Sequence, residues 1–284
     1  MSDMPILIQQ AAYEESLMMS YILQSRDGSI IVIDGGGKTN APRLLEALRQ
    51  LGGEKPRVSL WLMTHPHNDH IDAFLYLWRK CREQFTVDRI IHAFPHPDFL
   101  QQYAPKEALE QQAFEDIRHE FEHLLTEVHR GDRFSYGDFA FEVIYSNEEA
   151  CTENPCNNAS TVFMTEVLGT RILFLGDMGC EAEERLLDRP EKLKADIVQM
   201  AHHGQEGVTK EFYAVVDPRL CLWSTAHWLW VNDAGNGPGT GPFLTLGTRR
   251  WMEELNITSH LVSKDGDGVV RFLGDGRYTF GKWQ

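Results

Sequence analysis

The chain has 284 residues, 42 % of them hydrophobic, and carries a formal charge of −15 from 27 Lys and Arg against 42 Asp and Glu. That length and apolar content suffice for one large core, so a single domain over residues 1–284 is expected. The acidic balance argues against a protein that tracks a nucleic-acid backbone, which needs a basic stripe to neutralise phosphates.

Taken in chain order, Ser20 to Gln24 and Ser29 to Asp34 read as a hairpin turning at Asp27-Gly28, and Gly35-Gly36-Gly37 then gives a tight backbone turn. Ala41 to Leu51 has helical apolar spacing and stops at Gly52-Gly53. The apolar run Val58 to Met63 reads as a buried strand, and Ile71 to Trp78 as the helix that follows it. Arg89 to Ala93 is a third strand, leading into a Pro-rich loop from Phe94 to Pro105 and then a long acidic helix, whose carboxylates form a solvated face. In the second half, strands are expected at Phe139 to Tyr145, Ser160 to Val167, Thr170 to Gly176, Ala195 to Met200 and Arg219 to Ser224. Helices are expected at Glu181 to Leu187, Thr209 to Val216 and Thr245 to Leu255, with a terminal hairpin from Ser259 turning at Gly266-Asp267-Gly268. Two β-rich halves with outer helices imply an α/β protein, α+β by some schemes, built as a four-layer αββα sandwich.

Chemistry concentrates in Thr64-His65-Pro66-His67-Asn68-Asp69-His70, on the loop between a strand and a helix. Burying several imidazoles and a carboxylate without a cation would leave polar groups unpaired at about 1–3 kcal/mol each, so the cluster is read as a metal site. Imidazole nitrogen with carboxylate oxygen suits zinc, iron or manganese. Two further strands end in the same kind of residue. Leu173-Phe174-Leu175-Gly176 delivers Asp177, and Ala195 to Met200 delivers Ala201-His202-His203-Gly204. Neighbouring histidines in an extended segment face opposite ways, so one of His202 and His203 is expected on the metal and the other toward substrate or toward the residues that orient the ligands.

His65-x-His67-x-Asp69-His70, Gly176-Asp177 and His202-His203-Gly204, in that order and each after a strand, resemble the metallo-β-lactamase superfamily. Asn157-Asn158-Ala159-Ser160 ahead of a strand, with Ala195-Asp196 ahead of the paired histidines, is similar to one branch of it. That branch contains the hydrolase domain of the bacterial DNA-uptake competence channel and a phosphorylcholine esterase. The resemblance implies two divalent metal ions, zinc first, with manganese or iron as alternatives. It places His65 and His67 on one, Asp69, His70 and His203 or His202 on the other, and Asp177 between them. The family's usual third histidine for the first metal is missing, and Asn157 or Asn158 stands there; an amide oxygen is a weak zinc ligand, so that site is expected to be labile. Gln205 departs from the serine common in the branch, and His227 to Pro242 departs altogether.

The expectation is a metal-dependent hydrolase using a hydroxide held by the dinuclear site, acting on a small phosphodiester or other phosphoester. The alternatives are a carboxylic ester, thioester or lactone hydrolase, or a catalytically silent metal-binding sensor. Asp69 is the expected proton acceptor, and His202 and His227 the candidate proton donors to the leaving oxygen. Asn157, Asn158, Trp228 and Trp230 are candidate substrate contacts, the tryptophans either from a loop closing over the site or, alternatively, packing that loop onto the core. Five cysteines, Cys81, Cys151, Cys156, Cys180 and Cys221, form no thiolate motif and fit a reducing compartment. Met1 to Pro5 lack a basic leader and no segment approaches the ~20 apolar residues of a membrane span, so a cytoplasmic protein without membrane partner is expected. The partner expected is a small-molecule substrate, with the oligomeric state left open.

Overall fold

The computed structural model describes residues 3–12, 16–147 and 151–283, so Met1 and Ser2 of the leader reading lie outside the described residues. The chain begins with β1 (Ile6–Gln9), β2 (Ser20–Gln24), β3 (Ile30–Asp34), α1 (Ala41–Gly52), β4 (Arg57–Leu62), α2 (Asn68–Cys81), β5 (Thr86–Val87), β6 (Ile90–His92), α3 (Pro97–Tyr103), α4 (Ala108–Phe121) and β7 (Leu125–Glu127). It continues through β8 (Arg133–Tyr136), β9 (Phe139–Tyr145), β10 (Val162–Val167), β11 (Thr170–Phe174), α5 (Cys180–Leu187), β12 (Ile197–Gln199), α6 (Lys210–Val216) and β13 (Leu220–Trp223). It closes with α7 (His227–Trp230), α8 (Thr245–Glu254), β14 (His260–Val262), β15 (Gly268–Gly274) and β16 (Arg277–Lys282).

One sheet runs β16-β15-β1-β2-β3-β4-β6-β7, with β5 also beside β4, and the other runs β14-β13-β12-β11-β10-β9-β8. Strands β3, β4, β6 and β7 are mutually parallel, as are β11 to β14. Parallel neighbours need crossover connections, which is why helices separate them. Each such strand therefore ends at the same rim, where open α/β sheets bind ligands.

Side-chain alternation builds the layers. On β3, Ile31 and Ile33 face the second sheet, where they meet Phe141, Phe163 and Phe174. Ile30 and Val32 point the other way, onto Leu44, Leu48, Phe74 and Trp78 of α1 and α2. On the far side of the second sheet, Val198 and Trp223 are covered by Leu186, Phe212 and Met252 from α5, α6 and α8. The layers are helix, sheet, sheet, helix.

Two expectations change. The Phe94 to Pro105 stretch contains α3, because Pro97 sits in the first turn, where a missing N–H costs nothing, and His96 accepts the Asp98 N–H as its cap. The terminal hairpin is displaced: β14 pairs parallel with β13, and the chain then crosses to the first sheet, where β15 lies antiparallel to β1. The hairpin is β15 with β16, turning at Asp275 and Gly276, both with positive φ, as a two-residue hairpin turn requires. Asp267 anchors the crossover by accepting from Arg43 and from the Ala11 N–H.

Phe139 lies between the sheets, fully buried, and pairs with Val167 at the end of β10 remote from Phe163, which pairs with Phe174. Phe139→Ala is expected to cost about 3–5 kcal/mol in urea unfolding while leaving metal uptake unchanged. Loss of metal uptake in a still-folded variant would show that the core and the rim are not separable.

Candidate metal centre

The loop after β4 is fixed from below before any metal enters the account. Asp34, at the end of β3 with φ 60°, accepts from the Thr64 N–H at 2.7 Å and from the Thr64 hydroxyl. Thr64 Oγ1 and Ser160 Oγ lie 3.1 and 3.2 Å from His65 Nδ1. His67 is the extended residue just before α2, and Asp69 and His70 lie in the first helical turn. The His70 Nδ1–H donates to Asp34 Oδ2 at 2.8 Å, turning Nε2 inward.

Asp177 comes from the end of β11. Gly176 has φ +56°, and a Cβ there would lie 2.8 Å from Ser160 Oγ and 3.1 Å from Thr64 Cβ, so only glycine lets this turn close on the His65 loop. Gln199 on β12 holds the turn, accepting from the Leu175 and Gly176 N–H groups at 2.7 Å each and donating to the Gly176 carbonyl at 2.9 Å. The Asp177 N–H donates to Ser160 Oγ.

The paired histidines do not alternate in an extended segment. Both are left-handed, with φ 48° at His202 and 56° at His203, a backbone that L-residues rarely adopt. Gly204 completes the turn with φ +81°, packed against the Trp223 ring. The turn separates the two side chains. His203 is buried, and its Nδ1–H donates to the Ser224 carbonyl at 2.8 Å. His202 is one-fifth exposed, its Nδ1–H donating to the Glu206 carbonyl at 2.9 Å.

Two donor groups result, His65 with His67 and Asp177, and Asp69 with His70 and His203, the ligand atoms of each lying within 4.8 Å of one another. Asp177 reaches both. Its Oδ1 is 3.3 Å from His70 Nε2, and its Oδ2 is 3.5 Å from His203 Nε2, 3.9 Å from His202 Nε2 and 4.0 Å from His65 Nε2. His203 Nε2 also lies 3.0 Å from Asp69 Oδ2.

Without a cation the charges settle among themselves. Burial pushes His65 and His67 below the usual imidazole range, so both are neutral at pH 7. Burial works the same way on His70 and His203, but it is outweighed: Asp177 and Asp34 hold His70 well above the usual range, and Asp177 and Asp69 hold His203 up at about 10. Asp177 and Asp69 stay below the usual carboxylate range against burial, because His70 and His203 flank them. His70 Nε2, His203 Nε2 and Asp177 Oδ1 are nonetheless buried without a well-formed hydrogen bond. Convergent, orphaned nitrogen and oxygen donors fit divalent cations of the zinc, iron or manganese type.

Residues 19–146 match the profile of the Metallo-beta-lactamase superfamily. The chain has the metallo-β-lactamase fold. Over 165 residues, 57 % of the chain, it is 26 % identical to ComE operon protein 3 of Bacillus subtilis (strain 168), and the match spans 19 % of that protein's length. Among solved structures, CmlA, a diiron beta-hydroxylase from Streptomyces venezuelae, is similar with a TM-score of 0.61 at 13 % identity, over 96 % of this chain and 55 % of that one. Unliganded yeast PDE1 is similar with a TM-score of 0.55 at 13 % identity, over 95 % of this chain and all of the other. At such identities the likeness concerns the metallo-β-lactamase fold. The profile covers the His65 to His70 loop and stops short of Asp177 and His203, which join the cluster by geometry.

The remaining expected residues divide. Asn158 is tied into structure, accepting from the Gly179 N–H and donating to Glu181 and the Glu153 carbonyl. Asn157 is 5 % exposed with its Oδ1 unpartnered. Trp230 is committed to packing, edge-on to Trp223 with the Arg249 guanidinium 4.1 Å over its ring. Trp228 is half-buried against Phe243, and His227 stands exposed at the start of α7. Asp34 and Gln199 were not singled out from sequence, and Ser160 entered only as the last residue of the Asn157 to Ser160 motif. Asp34 carried a signal all the same, an apolar strand ending in Asp before a glycine turn, the inverse order of Gly176-Asp177.

Two outcomes follow from these contacts. Asp34→Asn preserves shape but weakens the acceptor of His70, and should lower metal affinity by about 10–100-fold in a chelator competition without a large loss of thermal stability. Unchanged affinity would remove Asp34 from the positioning role. His203 titrates near 10 in the metal-free fold and must lose its proton to bind a cation, so metal uptake at pH 7 should release protons and affinity should rise with pH. Calorimetry in buffers of differing ionisation enthalpy reads this directly; uptake without proton release contradicts the charge assignment.

Proposed function

We propose that the chain is a metal-dependent hydrolase of phosphoesters, a small phosphodiester foremost. The observation that carries the reading is Asp177, whose carboxylate oxygens address both donor groups from a position 2 % exposed. His65 and His67 would hold one cation, Asp69, His70 and His203 the other, and Asp177 both. Bound there, divalent cations would lower the pKa of a water and stabilise charge on the substrate's oxygens, chemistry suited to in-line displacement at phosphorus.

The chain's own residues supply the rest. Asp69, 21 % exposed at the mouth of the cluster, orients the attacking water and takes its proton. His202 is the imidazole at the rim, its Nδ1 fixed on the Glu206 carbonyl and its Nε2 3.3 Å from Gln205 Nε2, and it is the first candidate to hand a proton to the leaving oxygen. His227 is the second candidate donor, entering only if substrate brings α7 into contact. The charge of −15 disfavours a long polyphosphate chain and favours a small molecule.

A panel of chromogenic phosphodiesters, phosphomonoesters, lactones and thioesters tests the reading. Turnover should be confined to the phosphoesters and be abolished in Asp177→Ala with a loss of bound metal. Turnover confined to lactones or thioesters would replace the substrate class, and full metal occupancy with no turnover would favour a binding role. With Asn157 in place of a third histidine, the cation on His65 and His67 should bind more weakly, so titration of metal-free protein should show two steps. One tight step of two equivalents would contradict this.

A further inference from the structure

A cavity of about 430 Å³ opens beside the metal centre and shares Asp69 with it. Its other walls include Lys38 and Thr39, which follow directly on Gly35-Gly36-Gly37, together with Asn68 and Asp72 from α2. A second cavity of about 270 Å³ shares Lys38 and Asp72 with the first and extends past Tyr76 to Arg79 and Lys80. Asp69, Asp72, Tyr76, Arg79 and Lys80 recur at helical spacing, so the two cavities form one groove along α2.

The glycine turn is bolted to that helix. The Gly36 N–H donates to the His70 carbonyl at 3.1 Å, the Ala73 N–H to the Gly36 carbonyl at 2.8 Å, and the Met19 N–H to the Asp69 carbonyl at 3.1 Å. Gly36 has φ +91°, and a Cβ there would lie 2.5 Å from Met18 Cγ, so the turn has one way to sit. Lys38 therefore rises at a fixed place relative to Asp69 and His70.

The groove's charge runs against that of the chain. Lys38, Arg79 and Lys80 line the groove with the carboxylate of Asp72 besides that of Asp69, and Glu110 stands next to it, accepting the Asn68 N–H. Lys38 and Arg79 both act electrostatically on Asp72, and among the described residues Lys38 makes no ion pair. Three cations lining one groove in a chain of charge −15 mark the place where a negative group is tolerated.

We propose that this groove is a substrate subsite for a second anionic group, remote from the scissile phosphoester, with Lys38 as its anchor. Resting on the phosphoester reading above, it narrows the substrate class to molecules carrying a phosphoryl or similar anion beyond the bond that is cleaved. Lys38 acts in binding and specificity. The hydroxyl of Thr39 and the amide of Asn68 line the same wall and can hydrogen-bond the linking portion.

The test reads binding, so it stands whether or not any ester is turned over. Thymidine 5′-phosphate and thymidine 3′,5′-bisphosphate differ by one remote phosphate. Their dissociation constants are measured by calorimetry on zinc-loaded protein. Wild type should bind the bisphosphate about tenfold more tightly, the scale of one charge-assisted contact, and Lys38→Gln should bring the ratio close to one. Lys194→Gln, whose lysine pairs with Asp217 on the other half of the molecule, should keep the wild-type ratio. A wild-type ratio near one, or a preference retained in Lys38→Gln, overturns the proposal. If Asp72→Asn raises the preference while Lys38→Gln leaves it intact, Lys38 is not the anchor and the proposal fails in that assignment. Failure of the phosphoester reading itself would appear separately, as absence of turnover on the chromogenic panel.

Discussion

The centre depends on keeping Asp177 charged while it is almost wholly out of water. Removing a carboxylate from water costs several kcal/mol after relaxation, so the charge persists only where opposite charge meets it closely. His70 and His203 supply that charge as protonated imidazoles, and Asp34 behind His70 and Asp69 beside His203 sustain the protons. A divalent cation can take over the same task more compactly, because it neutralises Asp177 and uses the imidazole lone pairs that the protons would otherwise occupy. The two states compete for the same atoms. Proton and metal are therefore alternative occupants of one electrostatic frame, which makes pH a direct control on loading.

That frame is held together by the sandwich. The donors arrive from three strand ends, after β4, β11 and β12, and each end is fixed by a neighbour from another strand. Asp34 steadies Thr64, Ser160 touches both His65 and the Asp177 N–H, and Gln199 holds the Gly176 turn. The contact between the sheets takes part as well. Tyr21 packs against Phe174 with ring centroids 5.3 Å apart and shares a 2.7 Å hydrogen bond with Ser224 Oγ, while the Ser224 carbonyl receives the His203 N–H. The imidazole orientation is thus set from across the core.

Much of this was legible in the sequence because it is local. Four donor positions on one loop and the first turn after it, and single donors after apolar strands, need only the period-two pattern and a turn to be read. The layer order followed from strands alternating with helices. What depends on partners far along the chain stayed hidden. Asp34 and Gln199 are ordinary strand residues until the residues they hold are known, some 30 and 24 positions away. The choice between His202 and His203 was open because extended geometry was assumed, whereas two consecutive left-handed residues set the side chains apart. The last strands were misjoined because Gly266-Asp267-Gly268 and Asp275-Gly276 are comparable turn signals, and only pairing with β1 and β13 tells them apart.

The loop from His227 to Pro242 bears on where substrate is discriminated. Its root is stiff: Asp233 accepts from the Gly235 and Gly237 N–H groups, and Asn232, buried with φ 56°, accepts from the Phe243 N–H. Trp230 is already occupied by Trp223 and Arg249. Closure of this loop would have to break those hydrogen bonds and expose an aromatic face, a cost that binding to a small ester would have to offset. Trp228 is half-buried against Phe243, and His227 stands exposed at the start of the loop. The α2 groove needs no rearrangement, since the glycine turn and the helix are bonded to each other and to the backbone of Asp69 and His70. A preformed wall contributes affinity without an ordering cost, which is the physical reason the proposed anionic subsite is assigned to the α2 groove and not to a loop that would have to close.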